Sequence, residues 1–265
     1  TGGTISIFSL FLAGVMPGLL LGFSLIILCL VMAYRNGHPK GDAVPVRLAG
    51  KMALEAFWGL ITLIIILGGI LGGIFTAVEA GAVACVWAFF VTMFIYRDYR
   101  WGDLPALVHR TLRTVAMVMT LIAFASSVGY MMALMQVPAK ITGFLLTFSN
   151  NKYVILMMIN VLLLVLGCLL DMAPAILIVT PILLPVMINF GVDPVHFGMI
   201  MLMNLGIGLC HPPVGAILFV GCAVGKVTLE QVMREIWPFY LVMFTVLMLV
   251  TYVPSISLWL VHLHG

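Results

Sequence analysis

Two carboxylates, Asp171 and Glu79, lie well inside apolar runs of this sequence, whereas Asp42, Glu55, Asp98, Asp103, Asp193, Glu230 and Glu235 fall in polar connections or near the ends of apolar stretches. A charged group at membrane depth is costly enough that each of the two needs a compensating role. Asp171 follows Gly167-Cys168-Leu169-Leu170 and precedes Met172-Ala173-Pro174, a setting that suits a break between two helices. Such a break frees backbone carbonyls, and carbonyls together with a carboxylate coordinate a hard cation such as Na⁺. The N-terminus of the following limb favours an anionic substrate group. The plainer alternative is that Asp171 caps the helix beginning at Pro174, and the two roles are compatible.

A second break is written in His211-Pro212-Pro213-Val214-Gly215. Two successive prolines remove two donors and bias the preceding residue away from helix, so 208–215 is expected to unwind. One break alone reads as a kinked structural helix; paired breaks near the midplane point to a transporter site. The candidate cation-binding or coupling residues are therefore Cys168, Asp171 and Met172 at the first break, and Gly208, His211, Pro213 and Gly215 at the second. Substrate-side candidates are Ala173, Pro174, Asn204, Ser126 and Ser127. His211 either lines a proton or cation path or donates one hydrogen bond inside the bundle. Glu79 reads as structural, bonded to a freed backbone group or a polar neighbour, and Ser hydroxyls such as those of Ser126 and Ser127 usually bond back to their own helix. The five cysteines lie in apolar segments without paired spacing, so no metal site beyond Na⁺ and no cofactor is expected.

The elements that must carry these residues are apolar and long. Spans are expected at about 5–33, with Pro17 as a kink, 52–71, 74–96 and 115–135, the last preceded by an amphipathic interfacial stretch over 103–114. The chain then emerges over 138–152. Limbs at 153–170 and 174–189 follow, preferred as a re-entrant hairpin over two full spans, then a broken helix over 196–225 and a final span over 236–260. Three regions result: scaffold-type helices and interfacial arm (1–135), a transport-type region (136–235) and a last transmembrane helix (236–265).

Composition demands the same class. Hydrophobic residues make up 64% of the chain and charged residues 8%, too few charges for a soluble surface. The apolar runs lack the period of barrel strands, which leaves an all-α polytopic membrane protein. The net charge of +3 does not indicate nucleic acid, because ten of the twelve Lys and Arg gather in loops on one side, the cytoplasmic one, with Lys140 and Lys152 excepted. The sequence begins at Thr1 without a basic leader and reads as a fragment.

Four segments together resemble the large membrane subunit of tripartite ATP-independent periplasmic (TRAP) transporters, over essentially the whole chain. They are Leu10-Phe11-Leu12-Ala13-Gly14-Val15-Met16-Pro17-Gly18, Gly73-Ile74-Phe75-Thr76-Ala77-Val78-Glu79-Ala80, Asp171-Met172-Ala173-Pro174-Ala175 with Pro181 and Pro185, and Pro212-Pro213-Val214-Gly215 with Leu218-Phe219-Val220. The resemblance implies the C-terminal half of an inverted-repeat, elevator-type transporter, in which a re-entrant hairpin and a broken helix hold a sodium ion. It further implies sodium-coupled uptake of organic acids (C4-dicarboxylates, sialic acid or sugar acids), a periplasmic substrate-binding protein and a small membrane subunit as partners, and the bacterial inner membrane as location. Two departures stand out: His211 occupies a position where most members carry Thr, and the first repeat is missing, so this chain alone is not expected to transport.

An intramembrane protease fails for want of a second mid-membrane Asp or an HExxH motif, so no enzyme is expected. A channel or structural membrane subunit without coupled transport remains the alternative, although a channel should show a continuous polar pore face and the polar groups here concentrate at two breaks.

Overall fold

In lipid no water competes for backbone groups, so each apolar run must close its own hydrogen bonds, and helices do this within one segment. The computed structural model describes residues 6–37, 45–212 and 215–264; these are helical, with no strand among them. Six helices are long and apolar enough to cross a membrane, and a seventh span results if the bent pair Leu229–Glu235 and Trp237–Tyr252, inclined at 58°, counts as one. The all-α polytopic class expected from the sequence is the observed one.

The chain forms two compact units, Gly37–Met117 and the remainder, with one boundary just after the first helix and the other inside a later one. In the smaller unit α2 (Val46–Leu71) leads through Gly72 and Gly73 to α3 (Ala77–Phe90), which runs into a π-helical turn at Val91–Ile95. The link is tight because Gly73 takes φ +66°, a conformation natural to glycine, and the Gly69 carbonyl accepts from both Ile74 and Phe75. Thr76 and Glu79 then start α3 reciprocally: the Glu79 carboxylate accepts from the Thr76 amide at 2.8 Å, and the Thr76 hydroxyl accepts from the Glu79 amide at 3.3 Å. Glu79 is therefore structural, as expected, and its span starts at Ala77 because the cap precedes it.

The larger unit opens with α1 (Ile7–Arg35), which continues unbroken past Pro17. The boundary helix α4 (Leu104–Leu134) corrects the expectation of an interfacial stretch separate from a span. Its 31 residues form one helix about 46 Å long, because 106–128 contains neither Gly nor Pro to interrupt it. The stretch 138–152 holds a short helix, α5 (Val137–Phe148), entered through Gln136 at φ +52° and started by Pro138. The two limbs follow as α6 (Lys152–Leu169) and α7 (Met172–Asn189), each of 18 residues. Asp193 starts α8 (Pro194–Gly208) by accepting from the amides of Val195 and His196. Beyond the second break lie α9 (Ala216–Gly225), α10 (Leu229–Glu235), α11 (Trp237–Tyr252) and α12 (Pro254–His264). The final span is thus two helices: Pro254 has no N–H to donate, and Val253 leaves helical geometry at φ −118°, ψ 83°.

Lipid is as apolar as leucine, so cohesion among these helices comes from close packing and interhelical hydrogen bonds. Ile155, Ile159 and Leu163 of α6, Val186 of α7, and Phe197 and Leu205 of α8 make up the centre of the core. α6 packs more closely on α8 than on α7, its own hairpin partner. Gly167 and Gly208 are the reason: a Cβ on Gly208 would lie 2.6 Å from the Gly167 carbonyl carbon, and one on Gly167 would lie 3.0 Å from the Leu205 Cα. α12 is held to α8 by buried His196, whose Nε2 donates to the Thr251 carbonyl at 3.2 Å and whose Nδ1 pairs with the Ser257 hydroxyl at 3.1 Å.

Gly208→Ala is expected to push α6 from α8 and destabilise the protein by about 1–3 kcal/mol, read as a lower thermal unfolding temperature of the purified protein, whereas Gly206→Ala, where a Cβ meets nothing within 4 Å, should leave that temperature within a degree or so. His196→Leu strands a buried hydroxyl and a carbonyl, and the same measurement should show a loss of about 1–3 kcal/mol.

Candidate functional site

The hairpin break is two residues wide. Leu170 (φ −117°, ψ 147°) and Asp171 (φ −67°, ψ 154°) are extended, so α6 ends with terminal carbonyls that no further helical turn can reach. Asp171 occupies the N-cap position of α7, one residue before Met172, so the helix starts earlier than Pro174. The Asp171 carbonyl accepts from the Ala175 amide at 3.1 Å, but its side chain makes no capping hydrogen bond. The carboxylate is exposed at the tip rather than spent on the helix it precedes.

The second break begins where α8 tightens. The Cys210 and His211 amides reach back only three residues, to the Ile207 and Gly208 carbonyls. Pro212 then stops the helix; Pro213 and Val214 lie outside the described residues. At Gly215 the chain returns, its amide donating to the His211 carbonyl at 3.2 Å. A Cβ on Gly215 would lie 2.6 Å from the His211 oxygen and 2.7 Å from the Leu209 oxygen. Two carbonyl oxygens therefore lie close to the bare Cα of Gly215, that of His211 already accepting from the Gly215 amide.

The two breaks meet. A cavity of about 140 Å³ is lined by Gly167, Cys168, Leu170 and Asp171 from the hairpin and by Leu209 and Gly215 from the broken helix. Of the residues singled out in the sequence, Cys168, Asp171 and Gly215 come together here. Gly208 adjoins them through its contact with the Cys168 amide, where a Cβ would stand 3.0 Å away. Met172, Ala173 and Pro174 form the first turn of α7 directly after the tip. The volume suits an ion and a few waters. A carboxylate with carbonyl oxygens is a donor set for a hard cation and not for zinc, and among the described residues no three His, Cys, Asp or Glu gather as transition-metal ligands.

His211 is turned to other partners. Its Nδ1 donates to the Pro212 carbonyl at 2.8 Å, and its ring stacks on Tyr240 at 4.9 Å between centroids. Tyr240 donates to the Cys210 carbonyl at 2.6 Å, so α11 braces the break from behind. Asn204 is fully buried before the break, bonded to Asn160 and to the Ile200 carbonyl, and does not line the cavity. Ser127 donates to the Ala123 carbonyl of its own helix, and Ser126 is exposed on α4; neither lines the cavity.

Sequence reasoning missed Leu209, whose contribution is a backbone oxygen common to all residue types, and Tyr240, which stands 30 residues away with no local signal. Gly167 could have been found, since a glycine shortly before a break invites a close approach. A larger, open recess of about 790 Å³ lies on the other side of Cys210, against Leu25, Val227, Gln231 and Phe239. It is mostly apolar, and Arg234 on its rim is ion-paired with Glu230 at 2.8 Å.

Comparison with known proteins gives this geometry its family. The profile described as "Tripartite ATP-independent periplasmic transporter, DctM component" matches residues 2–256. The chain is 36% identical over 260 residues to the C4-dicarboxylate TRAP transporter large permease protein DctM of Rhodobacter capsulatus, covering 98% of this chain and 59% of that protein. It is 40% identical over 256 residues to the isethionate TRAP transporter permease protein DctMQ of Oleidesulfovibrio alaskensis (96% and 40%). It is 35% identical over 255 residues to the sialic acid TRAP transporter large permease protein SiaM of Vibrio cholerae (96% and 60%). The chain thus spans about three fifths of the length of most of the curated relatives it matches. Those relatives are permeases and not enzymes, and this multi-pass membrane chain belongs to the DctM family of tripartite ATP-independent periplasmic transporters.

Proposed function

We propose that the cavity between the hairpin tip and the broken helix is the coupling-ion site of a sodium-driven permease for organic acids. The observation that carries the reading is that the uncapped Asp171 lines one cavity with Leu209 and Gly215, where the Leu209 carbonyl oxygen stands against a residue without a side chain. Oxygen donors of this kind match the hard, monovalent Na⁺. Four helix ends also gather there: the C-termini of α6 and α8, which favour a cation, and the N-termini of α7 and α9, which favour an anion. A site of this type can bind Na⁺ and an acidic substrate in mutual dependence.

The relatives support an organic-acid substrate: their named cargoes are C4-dicarboxylates, isethionate and sialic acid, all organic anions. The rest of the acid's contacts belong to the part of the transporter that this chain does not span. A periplasmic binding protein delivers the acid, a small membrane subunit completes the complex, and the location is the bacterial inner membrane. The hairpin is re-entrant in this reading: limbs of 18 residues reach about 27 Å, slightly less than a bilayer core, and an exposed carboxylate at the tip is better accommodated in a cavity that admits water and an ion than in lipid. Movement of the hairpin with its broken helix across the membrane, elevator fashion, would carry ion and acid together.

Uptake of labelled C4-dicarboxylate, isethionate and sialic acid into proteoliposomes holding the complete transporter with its binding protein is the test, with and without an inward sodium gradient. Sodium-dependent uptake of one of these acids, falling at least about tenfold in Asp171→Ala, is the expected result. Wild-type uptake in that variant would reduce Asp171 to a helix-start residue and overturn its place in coupling.

A further inference from the structure

Away from the cavity, α6, α8 and α11 share a buried hydrogen-bond network. Asn204 Nδ2 donates to Asn160 Oδ1 at 2.6 Å and to the Ile200 carbonyl at 2.7 Å. Asn160 Nδ2 donates to the Thr251 hydroxyl at 3.2 Å, and that hydroxyl lies 3.4 Å from Asn160 Oδ1. Asn160 and Asn204 are 0% exposed and Thr251 is 1% exposed. One valence is open: Asn204 Oδ1 is buried with no hydrogen-bond partner among the described residues. Exchanging the oxygen and nitrogen of that amide does not repair it. The exchange would put an oxygen 2.7 Å from the Ile200 carbonyl and 2.6 Å from Asn160 Oδ1, trading two good bonds for two repulsions.

We propose that Asn204 Oδ1 binds a single buried water, and that the completed Asn160–Asn204–Thr251 network is a clamp that sets the position of the hairpin limb α6 against the first limb of the broken helix and α11. A buried acceptor left unpaired is costly, and a water is the smallest donor that removes the cost. The clamp acts on the same two helices that cross at Gly167 and Gly208, so it fixes the spacing between hairpin tip and break. α7 has no member in the network and packs only slightly against α6. Asn204 is a positioning residue in this account, which rests on the sodium-site reading above for its effect on transport.

Three measurements on the complete transporter test it. A high-resolution experimental map should show a water within hydrogen-bond distance of Asn204 Oδ1; a well-ordered Asn204 without one would overturn the water site. Thermal unfolding of Asn160→Leu, Asn204→Leu and the double variant should show single losses of about 2–4 °C each, with the double variant losing less than their sum because the pair acts together. An Asn204→Leu protein as stable as wild type, or more so, would overturn the clamp. In uptake, Asn204→Leu should raise the sodium concentration for half-maximal rate about fivefold, the effect of one interhelical hydrogen bond, with the half-saturating concentration of acid unchanged; an unchanged sodium response would overturn the positioning role. If wild-type uptake ignores sodium, the sodium-site reading falls, and the map and unfolding cycle still decide the clamp, since neither depends on a coupling ion.

Discussion

At Gly167 and Gly208 two helices meet backbone to backbone, and the arrangement around the cavity depends on that contact. A Cβ on either residue would stand inside van der Waals contact with the backbone of the other helix. Without side chains between them, α6 and α8 reach their ends at the same depth, and each ends within a few residues of the crossing. The tip at Leu170–Asp171 and the break beginning at Leu209 are then neighbours by construction. In a bilayer, where burying leucine against leucine gains little over leaving it in lipid, such close approach of small residues is one of the few available sources of cohesion.

Polar groups are distributed according to what each can tolerate. The deepest ones, Asn160, Asn204, His196, Thr251 and Ser257, carry their hydrogen bonds among themselves and with backbone carbonyls. Neutral amides and hydroxyls can be satisfied in this way at modest cost. An ionised carboxylate cannot, and Asp171 accordingly stands at an exposed tip, while Glu79 sits at the start of α3 with donors from Thr76. Interior polarity holds helices together here.

How much of this was legible in the sequence follows from the range over which each signal acts. Prolines, glycines and caps act within a few residues, and both breaks were legible from Asp171-Met172-Ala173-Pro174 and His211-Pro212-Pro213. The role of Glu79 was legible in the same way. Pro254 carried an equally local signal, and the break it makes between α11 and α12 went unread because the apolar run continues through it. In α4 the opposite happened: a change in polarity along the run suggested a boundary that the backbone, lacking Gly and Pro there, does not make. Tyr240 against Cys210, and Asn160 against Asn204 and Thr251, join residues 30 to 91 positions apart. A single sequence holds no record of such pairings, since any of these residues alone is compatible with an apolar helix.

The helix breaks also explain how a site can form from a sequence so poor in charge. A continuous helix buries its carbonyls in its own ladder and presents only side chains; a broken one turns part of its backbone outward. In the proposed site the Leu209 oxygen beside Gly215 would supply what an Asp or Asn side chain would otherwise have to supply, without adding a formal charge that the surrounding apolar packing would have to neutralise. Among the residues that line the cavity only Asp171 brings one. The identity of the side chains at 209 and 211 is then secondary to the path of the backbone between α8 and α9. His211 illustrates the point: its imidazole is engaged with Pro212 and Tyr240, and its carbonyl still reaches Gly215.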